Sequence, residues 1–353
     1  MCSSDLGKFI GSLFIKDKEK HNIVWESVFR TIRQPEWWNG DSAYHPAPSH
    51  EPVSELERKL RNGEFVVATE VTPPLSANSP KIVRDIEKVK PFVSAVNFTD
   101  SSSAIPKMSS ISCCKLAVDL GVEPVLQIAS RDTTRNGLQA AVIGANTLGI
   151  KNILCITGDN AVIGPAPTGP MNFVDIDSVQ MLWILRRMRD DAVYLDGRKI
   201  KIPPELFLGA ATTPFAAEPK LQAIRDQKKV NAGAQFFQTN LIFEPARLDA
   251  WLEELDRRDV LGKVYILAGV APLKSYRVAQ YLNSKVPGVV LPANIMKRME
   301  KAGSAEAEEG IQIALEIIDS LKKKKGINGI HLMTMGWERS EEHTSELQSR
   351  QSI

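Results

Sequence analysis

Cysteine is scarce in this chain. Four residues in 353, Cys2, Cys113, Cys114 and Cys155, are too few for a disulfide framework. Adjacent Cys113 and Cys114 rarely bridge each other, and no paired CxxC spacing makes a zinc site. Reduced thiols and a cytoplasmic location are the expectation. An excess of one charge is missing too. With 44 basic against 42 acidic residues the formal net charge is +2, which makes no electrostatic case for nucleic acid or an anionic membrane. No apolar run approaches the roughly 18 residues that span a bilayer, and no secretory signal with an apolar core is present. No GxGxxG follows a strand, and GxxxxGK[ST], GxSxG and HExxH are absent. These absences argue against a Rossmann cofactor domain, a P-loop enzyme, a serine hydrolase and a zinc protease.

What the chain does have is a recurrent pattern. Short β-branched runs end on isolated polar side chains before helix-like stretches begin. Phe65-Val-Val-Ala-Thr-Glu70 ends on a carboxylate and is stopped by Pro73 and Pro74. Asn152-Ile-Leu-Cys-Ile-Thr157 is followed by Gly158-Asp159, and Gln235-Phe-Phe-Gln-Thr239 by Asn240. Eight strands are expected, at 65–71, 93–99, 124–128, 152–157, 206–211, 235–239, 263–268 and 329–334. Helices are expected near 53–61, 80–90, 107–120, 133–148, 175–190, 217–232, 245–257, 273–284, 292–301 and 304–324, with Ser79 as N-cap of the second and Pro80 at its first position. Strand and helix in alternation build a parallel sheet, and eight units favour a closed (β/α)8 TIM barrel, which takes about 250 residues.

Both ends look foreign. Arg339 to Ser349 reads like a translated sequencing-library adapter and Cys2 to Leu6 like its complement, so 1–6 and 339–353 are set aside from the fold. Residues 7–52 form an N-terminal extension: a possible amphipathic helix at 23–32, then a Pro-, Trp- and His-rich arm. His45 and His50 in that arm lack the spacing of a metal site, and no metal is expected. The barrel occupies 53–338. Its last helix is missing, which should leave one sheet face uncovered.

In a TIM barrel the active site lies at the C-terminal ends of the strands. Glu70, Asp159 and Asn240 should therefore converge on one mouth. A carboxylate desolvated there suits a general acid, or else forms a rim salt bridge. Gly158 lets a ligand approach the backbone, and Asp159 could accept from a heterocycle. Asn97, Gln127 and His331 lie in or at the end of strands two, three and eight, and with the first three they make a polar-lined pocket. Lys228 and Lys229 either complement the C-terminal dipole of their helix or reach a phosphate or carboxylate. Lys322 to Lys325 read as a solvated helix end.

Together these segments resemble the methylenetetrahydrofolate reductase family over about residues 60–338. The anchors are Thr69-Glu-Val-Thr-Pro-Pro74, Phe92-Val-Ser-Ala-Val-Asn97, Ile156-Thr-Gly-Asp159, Val174-Asp-Ile-Asp-Ser178, and Lys228-Lys-Val-Asn-Ala-Gly-Ala234 with Gln238-Thr-Asn-Leu-Ile-Phe-Glu244. The resemblance implies a flavin-containing barrel, with FAD or FMN, that reduces 5,10-methylenetetrahydrofolate to 5-methyltetrahydrofolate in one-carbon metabolism and methionine biosynthesis. It implies that Glu70 is the acid that opens the methylene bridge to an iminium, and that Asp159 lies between flavin and folate. Asn97 and Gln127 fall where the family has a flavin-contacting threonine and histidine. Gly158, Ala210 and Lys229 match flavin-contacting positions, and Lys228 falls where many members have arginine. Asn240 stands for the family's folate-binding glutamine, one methylene shorter. Ala211-Thr-Thr-Pro-Phe215 lacks the family's tyrosine and histidine. The implied partners are a folate, a reduced nicotinamide or a ferredoxin-type donor, a corrinoid-linked protein in some relatives, and a second copy in a homo-oligomer. A pterin-binding partner of a corrinoid methyltransferase, without redox chemistry, is the alternative, and a clipped, inactive fragment a third reading.

Overall fold

A computed structural model describes residues 37–38, 40, 43–48, 50–159, 174–215, 218–286 and 288–334. The adapter-like ends, the possible helix at 23–32, the Gly164–Pro170 loop and any helix after the eighth strand lie outside the described residues. The described chain runs α1 (Glu55–Arg61), β1 (Val66–Val71), α2 (Ser79–Val89), β2 (Ala95–Phe98), α3 (Ser110–Asp119), β3 (Pro124–Ala129), α4 (Arg135–Thr147), β4 (Asn152–Ile156) and α5 (Ser178–Asp190). It continues with β5 (Phe207–Thr212), α6 (Pro219–Ala232), β6 (Phe236–Leu241), α7 (Leu248–Arg257), β7 (Tyr265–Val270), α8 (Tyr276–Lys285), α9 (Ala293–Ala302), α10 (Glu306–Leu321) and β8 (Ile327–Met333). All neighbouring strands pair parallel and β8 closes on β1, so the expected (β/α)8 barrel is the fold. No helix among the described residues is long and apolar enough to cross a membrane.

The strands are buried on both faces, as parallel strands covered by helices must be, which explains their apolar, β-branched runs. Their period of two sorts side chains into two cores. Val66, Ala68, Ala95, Val125, Leu154, Phe207, Phe236 and Leu267 fill the barrel interior. Val67, Val96, Leu126, Ile153, Cys155, Leu208, Ala210 and Phe237 face the helices. Phe207 and Phe236 stack with centroids 4.9 Å apart. Gly209 beside them is required, because a Cβ there would lie inside the Phe236 ring.

Helix α1 closes the bottom. Leu56 and Leu60 join the interior core, and Ser54, the N-cap, accepts from the Glu57 N–H at 3.1 Å. The same hydroxyl donates to Asn152 at the foot of β4, at 2.7 Å. The cap of the plug is thereby fastened to the barrel it closes. Burial pushes the thiols of Cys113 and Cys155 up to about 12, so both behave as small apolar core groups.

Three expectations are corrected. Asn78, not Ser79, caps α2, because its side chain reaches the Lys81 N–H at 3.3 Å while Ser79 is already helical. Helix α3 starts at Ser110 rather than 107. Ser109 before it has a non-helical backbone, φ −54° and ψ 132°, and farther back Ser101, Ser103 and Ala104 turn at φ 47°, 60° and 54°. The sheet face beside β8 is not left open, since the outward side chains of Val67, Ile330 and Leu332 are at most 5% exposed.

Candidate functional site

Strand alternation sets the inner surface of the upper barrel. Counting by two from Ala68, Ala95, Val125 and Phe236 brings Glu70, Asn97, Gln127 and Gln238 to the inside. Asn97 and Gln238 exchange side-chain hydrogen bonds across the barrel, at 2.6 and 3.1 Å, and both are buried. This closed amide pair forms a polar floor above the Phe207–Phe236 stack. Gln127 is buried beside it, and its carbonyl accepts from Ser110 of α3 at 3.1 Å.

Glu70 ends β1 at the edge of that floor. Its Oε2 stands 3.6 Å from Nε2 of His331 on β8, which is buried and whose Nδ1 has no partner among the described residues. Asp159 follows β4. Its Oδ2 accepts from the Ser103 N–H at 2.6 Å, and its carbonyl accepts from Arg131 at 2.8 Å. Arg131 also donates to the Ser101 carbonyl at 3.1 Å and pairs with Asp132. One guanidinium thus fastens the loop after β2 to the loop after β4. Gly158 supports the approach: at φ +81° it holds a conformation that favours glycine, and a Cβ there would lie 3.0 Å from that of Ala129.

Lys107 lies near both carboxylates, on the segment between β2 and α3. Its ammonium donates to Ser102 Oγ at 2.5 Å. Burial pulls its pKa below the ordinary lysine value, and the Glu70 and Asp159 carboxylates oppose that shift. Nearby Asp100 accepts from the Ala129 N–H at 2.9 Å, and burial raises its carboxyl above the usual range.

The other sequence candidates lie differently. Asn240 sits where the β6–β7 register shifts, and its Oδ1 accepts from its neighbour Leu241 N–H at 2.8 Å. The Ala210 side chain faces the helices, because parity in β5 turns Ala211 inward instead. Lys228 is exposed on α6. Lys229 folds back along α6 to donate to the Ala211 carbonyl at 2.7 Å and lies 3.5 Å from Asp226. Burial lowers its ammonium pKa, with Asp226 opposing. Asp226, fully buried, also accepts from Thr212, Gln222 and Trp251. Lys229 is therefore engaged in a buried network beneath the strand ends. Asp175 and Asp177, in another anchor of the resemblance, hold structure: Asp175 pairs with Arg135, and Asp177 caps α5.

Gln238, Lys107, Arg131 and Ser103 were not singled out from the sequence as site residues. Gln238 was findable, since it alternates with Asn240 in a strand. The other three carry no local signal, because only the fold brings their loops together.

The sequence profile of methylenetetrahydrofolate reductase matches residues 55–347. Among curated proteins none matches the chain. Among solved structures it is similar to an uncharacterised Clostridium thermocellum protein that binds two copies of 5-methyl-5,6,7,8-tetrahydrofolic acid. Identity is 15%, the match covers 83% of this chain and 99% of that one, and the TM-score is 0.60. Phosphonopyruvate hydrolase in complex with oxalate and Mg++ is similar at 11% identity, covering 84% and 85%, with a TM-score of 0.44. At 15% identity the likeness to the Clostridium thermocellum protein speaks for the barrel alone. The profile, spanning most of the chain, says more: this protein belongs to the methylenetetrahydrofolate reductase family.

Proposed function

We propose that the barrel mouth binds a reduced folate and reduces 5,10-methylenetetrahydrofolate to 5-methyltetrahydrofolate. The observation that carries this reading is the placing of Glu70 and Asp159 at one mouth, each on its own strand end, around a polar floor. The pterin has a donor edge, its N3–H and 2-amino group, which a carboxylate such as Asp159 accepts in two parallel hydrogen bonds. Glu70 then faces the bridged nitrogens. As a carboxylic acid it delivers its proton to N10, the C–N10 bond breaks, and the methylene carbon becomes an iminium on N5. The Glu70 carboxylate left behind, with Asp159, stabilises that cation in a partly desolvated site. The 5-methyltetrahydrofolate bound by the Clostridium thermocellum protein is the product of this reaction and supports the reading.

The described residues fit a flavin ring. Asn97 and Gln127 present a polar inner wall, and Gly158 offers backbone without a Cβ. These three and Asp159 would hold it, with Asn240 turned to the folate. Bound there, a reduced flavin, FAD or FMN, supplies the hydride, and a reduced nicotinamide or a ferredoxin-type donor replenishes it in ping-pong order.

A visible spectrum followed by anaerobic titration with 5-methyltetrahydrofolate tests this. A flavin spectrum that bleaches on adding the folate is expected. Glu70→Gln should lower folate turnover by about 10²- to 10⁴-fold while flavin reduction by nicotinamide persists. Folate turnover that survives Glu70→Gln removes Glu70 from the acid role.

Three observations favour a second reading, a pterin-binding partner of a corrinoid methyltransferase without redox chemistry. Asn97 is closed on Gln238, Lys229 is engaged with Asp226, and the Ala210 side chain points away from the mouth. A colourless protein that takes up neither FAD nor FMN yet binds 5-methyltetrahydrofolate would decide for it.

A further inference from the structure

The segment that carries Lys107 is fastened on both sides to the acidic residues of the mouth. On one side the Met108 N–H donates to the Pro74 carbonyl at 2.9 Å, in the loop that follows Glu70. On the other, the Ser103 N–H donates to Asp159 at 2.6 Å, one residue along from the Ser102 hydroxyl that receives the Lys107 ammonium. The turn between them holds Ser101, Ser103 and Ala104 in left-handed conformations. Such strain persists only where the surroundings over-determine it, and it clusters at functional sites. Arg131 supplies the restraint, through the carbonyls of Ser101 and Asp159. The construction holds an ammonium on a segment tied to Asp159 and to the loop after Glu70, while directing its hydrogen bond to a hydroxyl.

The chemistry of a folate identifies what belongs at that point. Along one edge of the pterin the order is the 2-amino group, N3–H, the C4 carbonyl, then N5 with its one-carbon bridge. The first two are donors and suit Asp159. The last is where Glu70 acts. The group between them is the O4 carbonyl, an acceptor, which the Asp159 carboxylate cannot satisfy and for which Glu70, whose proton goes to N10, is not free. We propose that Lys107 is a substrate-positioning residue of this site, donating to pterin O4 and so setting the ring in register between Asp159 and Glu70. This rests on the folate reading above and names the contact that makes the site specific for a 4-oxo pterin. Burial of the ammonium works in the same direction, since a partly desolvated donor gains more from an acceptor than a solvated one.

The test is a matched pair of ligands: tetrahydrofolate and its 4-amino counterpart, tetrahydroaminopterin, which carries a donor where folate carries O4. Binding of each is measured by anaerobic calorimetry to the wild-type protein, Lys107→Met and Lys107→Arg. The wild type should prefer the 4-oxo ligand, and Lys107→Met should shrink that ratio by roughly tenfold or more, since a charged hydrogen bond is removed. Lys107→Arg should restore much of it. A merely structural role for Lys107 would weaken both ligands alike and leave the ratio unchanged, and that result overturns the proposal while the folate reading stands. A wild-type protein that binds neither ligand, nor 5-methyltetrahydrofolate, overturns the folate reading and the Lys107 contact with it.

Discussion

Glu123 shows how a single residue can work against the fold at neutral pH. It lies at the foot of β3, and its carboxylate accepts from the Asn152 amide at 2.6 Å. Burial raises its pKa above the usual carboxylate range, and the Asn152 hydrogen bond opposes this only in part. A group whose native pKa is raised contributes stability below its unfolded value and loses that contribution as pH rises through the native one. Once the pH has risen through that raised value, the ionised Glu123 costs stability. Glu123→Gln keeps an acceptor for Asn152 and removes the charge. It should raise the melting temperature at pH 7 and change it little near pH 4. Thermal melts at the two pH values check this, and a lower melting temperature for the variant at pH 7 contradicts it. Glu70 was legible as a site residue because it interrupts an apolar strand. Lys107 was not, because a lysine in a polar stretch looks solvated until the fold ties its segment to Asp159 and to the loop after Glu70.

Helix α5 makes the corresponding case at the scale of an element. Asp177 caps it reciprocally: its side chain accepts from the Gln180 N–H at 2.8 Å, and the Gln180 side chain accepts from the Asp177 N–H at 3.0 Å. Each bond satisfies a backbone donor that the helix leaves unpaired. Asp177→Ala should cost about 1 kcal/mol, read as a lower urea midpoint with an unchanged slope. An unchanged midpoint would mean that water serves those donors equally well. The helix body was readable from its pattern, and so was its approximate start. Helix α3 was readable only from Ser110 onward. The preceding turn holds three non-glycine residues at positive φ, and local propensity predicts the reverse. What holds that turn is Arg131 and Asp159, from two other loops.

For the whole molecule the decisive feature is closure. The barrel is closed laterally by the β1–β8 pairing and from below by α1. Leu56 is fully buried in the interior core together with Val66, Phe207 and Phe236. Leu56→Ala should open a cavity under the barrel and cost about 2–5 kcal/mol. The mouth proposed to bind folate lies at the opposite end, so on that reading the affinity for 5-methyltetrahydrofolate should survive below the melting transition. Equal loss of stability and affinity would show that the plug and the mouth are coupled.

The amino-acid sequence by itself determined the number of strands, their order and their parallel pairing, because two-faced burial demands apolar runs and turn residues mark their ends. It also determined that acids stand at the C-terminal ends of β1 and β4. Only the tertiary structure decided which polar groups meet. Asn97 and Gln238 are 141 residues apart and become one amide pair through barrel closure. Ala210 faces the helices while Ala211 faces the interior, a difference of one residue in strand parity. Lys229 is a basic residue at a helix end in the sequence, and in the fold its ammonium reaches the Ala211 carbonyl on β5. The physical reason is plainest for the amide pair. Periodicity is local and survives in the chain, whereas a hydrogen bond or an ion pair exists only when closure brings its two ends within about 3 Å.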